Sequence, residues 1–230
     1  MQNVGNRQSG MTGWLQSTIG RKQLIGLTGL GLSVFVLVHM IGNMLILAGP
    51  QAYNEYAHAL VSNPAIYLAE GGLVAMFLIH MVLALRITWM NWMARDSRYA
   101  VLPNGPKATD WSQRSLWAQG LLIAVFVILH LITFKYGQHY TADYGKGEIR
   151  DLHRLVIEVF EEPTYVAWYV FALLVLGVHL KHGVASSLQT FGVYHPRYRC
   201  SFKVISWLYA LIVSLGFISQ PIYVYFFHRG

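Results

Sequence analysis

A chain of 230 residues that is 55% hydrophobic and only 12% charged lies outside the range of ordinary soluble domains, in which about a quarter of residues are charged. A net charge of +7 would suit a nucleic-acid partner, but the cations are segregated by segment rather than gathered on one basic surface, and no nucleic-acid role is expected. The single cysteine, Cys200, excludes an internal disulfide and any cysteine-ligated iron–sulfur cluster within the chain, and no CxxCH is present for covalent haem attachment.

Residues 1–20 are polar and rich in Gly, Ser and Gln, and read as a loosely ordered segment on the cytoplasmic face, with Trp14 seated at headgroup level. Residues 21–230 read as one all-α membrane domain of five transmembrane helices, at about 24–47, 66–89, 116–134, 165–188 and 204–227. Each run is about the 20 residues needed to cross ~30 Å of hydrocarbon at 1.5 Å per residue. The first run is too long for the apolar core of a signal peptide and is expected to be retained.

The first run follows Arg21-Lys22 and carries Gly26, Gly29 and Gly31, which permit close approach of a neighbouring helix or a flat ligand. Gly49-Pro50 ends it, and a short outer segment, 49–65, leads through Ser62-Asn63-Pro64 to the second run. That run ends in RITWMNWMAR, an arginine and tryptophan belt. The inner loop, 96–113, contains Pro103-Asn104-Gly105-Pro106 and reads as a turn before the third run. The longest connection, 136–163, mixes charges of both signs. Within it Leu152, Leu155, Val156 and Val159 recur at helical spacing, predicting a short helix lying on the membrane surface. Pro163 opens the fourth run, and the fifth ends in aromatics and His228 at the interface.

With the N-terminus placed in the cytoplasm, twelve of the 17 lysines and arginines fall on the cytoplasmic side: Arg7, Arg21, Lys22, Arg86, Arg95, Arg98, Lys107, Arg114, Lys181, Arg197, Arg199 and Lys203. Lys135, Lys146, Arg150, Arg154 and Arg229 fall on the other. The bias sets the N-terminus inside and the C-terminus outside. A basic inner face would also suit an acidic partner or anionic lipid.

Four runs each carry one histidine within their apolar part: His39, His80, His130 and His179. An unpaired polar group at that depth is costly, so each must find a partner. A lone membrane histidine is as readily a satisfied hydrogen-bonder or a proton relay. Depth distinguishes this set. The first and third runs head outward and hold His39 and His130 beyond their midpoints; the second and fourth head inward and hold His80 and His179 beyond theirs. Each lies roughly 4–8 Å from the mid-plane, giving an outer pair, His39 with His130, and an inner pair, His80 with His179. On the fourth run His182 lies near the same face as His179, and His179 matches the depth of His80 better. Two imidazoles facing each other at one level are what bis-imidazole ligation of a b-type haem requires, and six-coordinate iron carries electrons without binding oxygen or substrate. Gly29 and Gly120 each precede an outer histidine by ten residues, ~15 Å deeper, at the level of the inner pair where a macrocycle needs room. Helix packing alone would also account for these glycines.

In LTGLGLSVFVLVHMIGN, YNEYAHAL, AEGGLVAMFLIHMVLALR and HLKHGVASSLQTFG followed by HP, the chain resembles the di-haem cytochrome b subunit of succinate dehydrogenases and fumarate reductases, along all five helices. The resemblance implies that the first four helices form the haem-binding bundle and that His179, first in H-x-x-[HN]-G, is the ligand on the fourth. It also implies a bacterial cytoplasmic membrane, two b haems, a quinone (menaquinone rather than ubiquinone), and flavoprotein and iron–sulfur subunits bound on the cytoplasmic side. A higher-order assembly of that complex is a further implication. The chain then reacts with quinone and carries no dicarboxylate site of its own. A quinone pocket near the outer haem needs a proton-exchanging group, for which Glu70 leads and Glu55, His58 and His153 follow. Arg21, Lys22, Arg86, Lys181 and Ser187 are inner haem-propionate candidates, with Lys135 and Arg154 outside. Some fumarate reductases of this kind are proposed to use a glutamate two residues before the fourth ligand; Gly177 stands there and puts such a proton route in doubt.

Three rival readings differ in residue pattern. The cytochrome b of a quinol:cytochrome c oxidoreductase takes two histidines from each of two helices, whereas this chain offers one per helix. Cytochrome b subunits of other quinone-linked dehydrogenases, such as formate dehydrogenase, have fewer helices and another ligand pattern. A haem-free anchor or transporter would use the histidines as proton relays, but buried carboxylates and broken helices are scarce here.

Overall fold

The computed structural model describes residues 13, 14, 17–94, 111–192 and 199–228, without the side chains of residues 199 and 200. Arg7, Arg95, Arg98, the turn at Pro103-Asn104-Gly105-Pro106, Lys107, the His195-Pro196 pair, Arg197 and Arg229 lie outside the described residues. The chain is mostly helical, with five helices long and apolar enough to cross a membrane.

Helix α1, Thr18–Asn43, starts where the Ser17 hydroxyl accepts the Gly20 N–H at 2.9 Å, satisfying one of the orphan donors of a helix start. It tightens into a 3₁₀ turn over Met44–Ala48 and breaks at Gly49, whose φ of 100° is a left-handed conformation that favours glycine. Pro50 opens α2, Pro50–Val61, as a proline pre-set for the first helical turn. A helix therefore fills most of the segment that reads from sequence as a short outer connection. Helix α3 spans Ala65–Met93, with the Asn63 carboxamide accepting the Ala65 N–H at 2.9 Å. The short α4, Trp111–Arg114, precedes α5, Leu116–His130, which widens into a π-type turn over Leu131–Lys135.

The connection from 136 to 163 is more structured than its sequence suggests. Strands β1, Thr141–Asp143, and β2, Glu148–Arg150, form an antiparallel hairpin with Ala142 opposite Ile149. From β2, Arg150 reaches the end of the third span and donates to the carbonyls of Phe134 at 2.9 Å and Lys135 at 3.4 Å, where a helix end favours a cation. Asp151 caps α6, Leu152–Glu161, by accepting the Arg154 N–H at 3.0 Å. Helix α7, Pro163–Thr190, and α8, Arg199–Phe227, complete the chain, the latter carrying Pro221 in its interior. Most of the long helices thus begin or end a few residues beyond the apolar stretches read from the sequence.

Helices α7 and α8 share the most extensive interface, and α1 packs against α3, α7 and α8. Such contacts in lipid rest on close approach and hydrogen bonds rather than on the hydrophobic effect. The Ser214 hydroxyl donates to the Leu173 carbonyl at 2.8 Å, and a Cβ on Gly177 would come within 2.9 Å of that hydroxyl oxygen. A glutamate at 177 would collide with α8, which gives a steric reason for glycine there. Gly177→Leu should destabilise the α7–α8 interface by about 1–3 kcal/mol, the usual cost of overpacking, and lower the thermal midpoint measured in detergent.

The end of the bundle at which α1 begins is here the N-side, and the opposite end the C-side. A roof covers the C-side. Helix α6 does not lie with its apolar face to lipid: Leu155, Val156 and Phe160 are buried in a cluster with Ile46, Tyr53, Val166, Tyr169, Leu173 and Val224. Asn54, fully buried, stitches the roof together by donating to Asp151 at 2.7 Å and the Tyr144 hydroxyl at 3.0 Å while accepting the His153 N–H at 2.8 Å. Each such bond contributes about 1 kcal/mol, so Asn54→Ala should cost about 2–3 kcal/mol and speed proteolysis of the 136–162 segment.

Candidate functional site

The histidines of the first four spans meet in two couples inside the bundle. His39 of α1 and His130 of α5 have ring centres 5.8 Å apart, and His80 of α3 and His179 of α7 have theirs 6.5 Å apart. The ring planes of both couples stand near perpendicular, at 88° and 78°. Two metal–imidazole bonds of about 2 Å each place ring centres about 6 Å apart, so both couples have the separation of a bis-imidazole axis.

Ring nitrogens are set by their neighbours. His80 Nδ1 lies 3.1 Å from the Ile25 carbonyl, which can only accept, and 3.3 Å from the Thr28 hydroxyl. Nδ1 therefore carries the proton, and Nε2 keeps the lone pair a metal needs. His130 Nδ1 lies 3.2 Å from the Tyr169 hydroxyl, and its Nε2 has no partner among the described residues. The Asn43 amide donates to the His39 carbonyl at 2.8 Å and lies 3.4 Å from both ring nitrogens, while Tyr53 donates to Asn43 at 2.8 Å. A polar chain thus runs from the roof to the His39 residue. His179 Nδ1 is buried with no hydrogen-bond partner among the described residues. His182, the other candidate on α7, instead contacts Ser112.

The surroundings suit a flat, apolar ligand. Phe35 stacks on His39 at 5.4 Å, and Phe126, Phe134 and Tyr169 ring His130. A Cβ on Gly29 would stand 3.0 Å from His80 Cε1, and one on Gly120 would stand 3.9 Å from His179 Cε1. Both glycines therefore flank the N-side couple. Among the described residues no three His, Cys, Asp or Glu side chains converge as a metal-ion site, and a haem asks the protein for only two. The paired imidazoles, the Nε2 atoms of His80 and His130 without a partner among the described residues, the orphaned His179 nitrogen and the glycine flanks fit bis-histidine haem.

The other candidates divide by position. Glu70 forms an ion pair with Lys135 at 2.5 Å, joining the C-side ends of α3 and α5, both side chains about 40% exposed. Glu55 pairs with Lys146 at 3.4 Å, and the bond from Gln51 together with that lysine lowers its pKa. His58 is exposed beside Ser62. Arg154 pairs with Glu158 at 2.8 Å and lies over the Tyr140 ring, committed to the roof. On the N-side Arg21 is buried with its Nη1 3.1 Å from Met90 Sδ and its Nε unpaired among the described residues; Ser187 is buried, and Lys22, Arg86 and Lys181 are exposed. Thr28, Asn43 and Tyr169 were not singled out by sequence. Thr28 sits beside Gly29 and Asn43 one turn after His39, a spacing that offers the only signal for them.

His153 is buried in the roof, 6.0 Å from the Tyr53 ring and 6.3 Å from that of His228, with Nε2 unpaired among the described residues. Burial lowers its pKa below the ordinary 6.5, Asp151 pulls it back up, and His228 pushes it down. Between the lowered value and 6.5 the unfolded segment binds more protons than the docked one, so docking weakens as pH falls through that window. The protection of α6 amides, taken relative to intrinsic exchange at each pH, should fall as the pH drops below 6.5, and His153→Gln should flatten the dependence.

Comparison with known proteins finds no match: no protein-family model, no curated protein and no solved structure matches this chain.

Proposed function

We propose that the chain is the membrane anchor and electron-transfer subunit of a succinate:quinone oxidoreductase. The observation that carries this reading is the meeting of four histidines, one from each of four spans, as two couples at two depths. Two b haems, when bound, supply one-electron carriers at those two levels. His39 and His130 hold the C-side haem, His80 and His179 the N-side haem, and Ile25, Thr28 and Tyr169 orient the imidazoles. The lysine and arginine bias supports a cytoplasmic N-side, and the motif resemblance supports a bacterial membrane with flavoprotein and iron–sulfur subunits docked on that face. Arg21, buried with an unpaired Nε, is the leading propionate partner at that level. At the C-side Glu70, paired with Lys135, exchanges protons with a membrane quinone. Motif resemblance, rather than geometry, supports succinate and fumarate as the dicarboxylates of the whole complex and menaquinone as the quinone.

A reduced-minus-oxidised spectrum of the purified chain tests the reading. A b-type α-band with two haems per chain is expected, and reduction by succinate in the assembled complex separates it from subunits of other quinone-linked dehydrogenases. A folded, colourless preparation overturns it in favour of a haem-free anchor.

A further inference from the structure

Helices α3 and α5 touch little, and near their N-side ends a cavity of about 410 Å³ lies between them, lined by Leu85, Arg86, Trp89 and Trp92 of α3 and Trp117 and Leu121 of α5. It opens on the outside of the bundle, since Leu85, Trp89, Trp92, Trp117 and Leu121 are all exposed. At 100° per residue Trp89 points half a turn away from His80, and Leu85, Arg86 and Trp92 lie within about 60° of it. The cleft therefore occupies the opposite side of α3 from the N-side histidine couple.

Its wall is apolar save for Arg86 and Thr88. The Thr88 hydroxyl is committed to the Ala84 carbonyl at 2.9 Å, and the Trp92 and Trp117 rings meet edge to face at 5.3 Å. Arg86 is exposed and has no hydrogen bond or ion pair with any described residue. It lies about 10 Å past the middle of α3, from which its long stem reaches the headgroup boundary. The helix directions put Leu85 and Leu121 deeper than Trp92 and Trp117. The trough thus runs from hydrocarbon to an aromatic rim, with the Arg86 backbone level with its leucines and the guanidinium extending toward the rim along its stem. Charge complementarity selects the occupant. A neutral quinone head gains little from an unpaired guanidinium, whereas a phosphate diester gains a charge-assisted bond and leaves its acyl chain against the leucines.

We propose that this cleft binds one anionic phospholipid of the leaflet at the N-side, phosphate on Arg86 and acyl chain between Leu85 and Leu121. The full chain, purified in detergent and depleted of lipid, would be incubated with phosphatidylglycerol or phosphatidylcholine and bound lipid counted by native mass spectrometry. One phosphatidylglycerol per chain is expected, with about fivefold preference over phosphatidylcholine, the factor one arginine contributes near an anionic surface. Arg86→Gln should bring the two lipids to parity, and Trp117→Ala should lower retention of both. Equal retention of the two lipids by the parent, or a preference unchanged in Arg86→Gln, overturns the proposal. So does displacement of the phospholipid by an equimolar menaquinone analogue, or a haem lost in Arg86→Gln.

Discussion

His39→Ala and His130→Ala should each remove the C-side haem and leave the N-side haem in place, halving the b-type absorbance. The two rings stand 5.8 Å apart and contribute one nitrogen each, so deleting either leaves a single axial ligand. The N-side couple draws its orienting groups from Ile25 and Thr28, eleven or more residues before His39, and is not disturbed. His80→Ala and His179→Ala should give the reciprocal result. Redox titration reads the outcome, because the surviving haem keeps its own midpoint. Loss of the N-side haem alone in His39→Ala would break the pairing.

Glu70→Gln should leave both haems in place and slow quinone turnover by about 10²-fold, the smaller end of what a positioned acid–base group contributes. The carboxylate sits opposite Lys135, which lies five residues, about 7.5 Å, beyond His130 along the third span. An amide of the same shape holds the lysine's hydrogen bond but cannot carry a proton. Quinol-dependent haem reduction, measured at saturating quinol in the assembled complex, separates this from a binding defect. Unchanged turnover would shift the role toward another group, with the roof histidine His153 the next to test.

Much of this arrangement was legible in the sequence for a simple reason. Apolar length fixes a span, and a rise of 1.5 Å per residue fixes the depth of each histidine, so the couples follow from counting. Rotation about each helix axis does not follow. The second span is apolar all round, none of its residues is buried, and its sequence gives no stripe to say which face meets a neighbour. The contacts of Thr28 with His80 and of Tyr169 with His130 depend on that rotation and were invisible. The roof was hidden for another reason. Helix α2 has few strong apolar positions, the hairpin strands are three residues each, and the apolar face of α6 reads equally as facing lipid or protein. The Glu70–Lys135 pair joins residues 65 apart, which no local pattern encodes.

The roof over the C-side makes one flank of the molecule decisive. Asn54 and the cluster beneath α6 seal the outer histidine couple against water from above, while α3 and α5 meet only sparsely at its side. On the proposed reading, a redox partner of this couple would approach from the bilayer, on the flank where Glu70 lies, rather than through the roof. On that reading the same lid would also stand between the C-side couple and water-soluble oxidants of the medium.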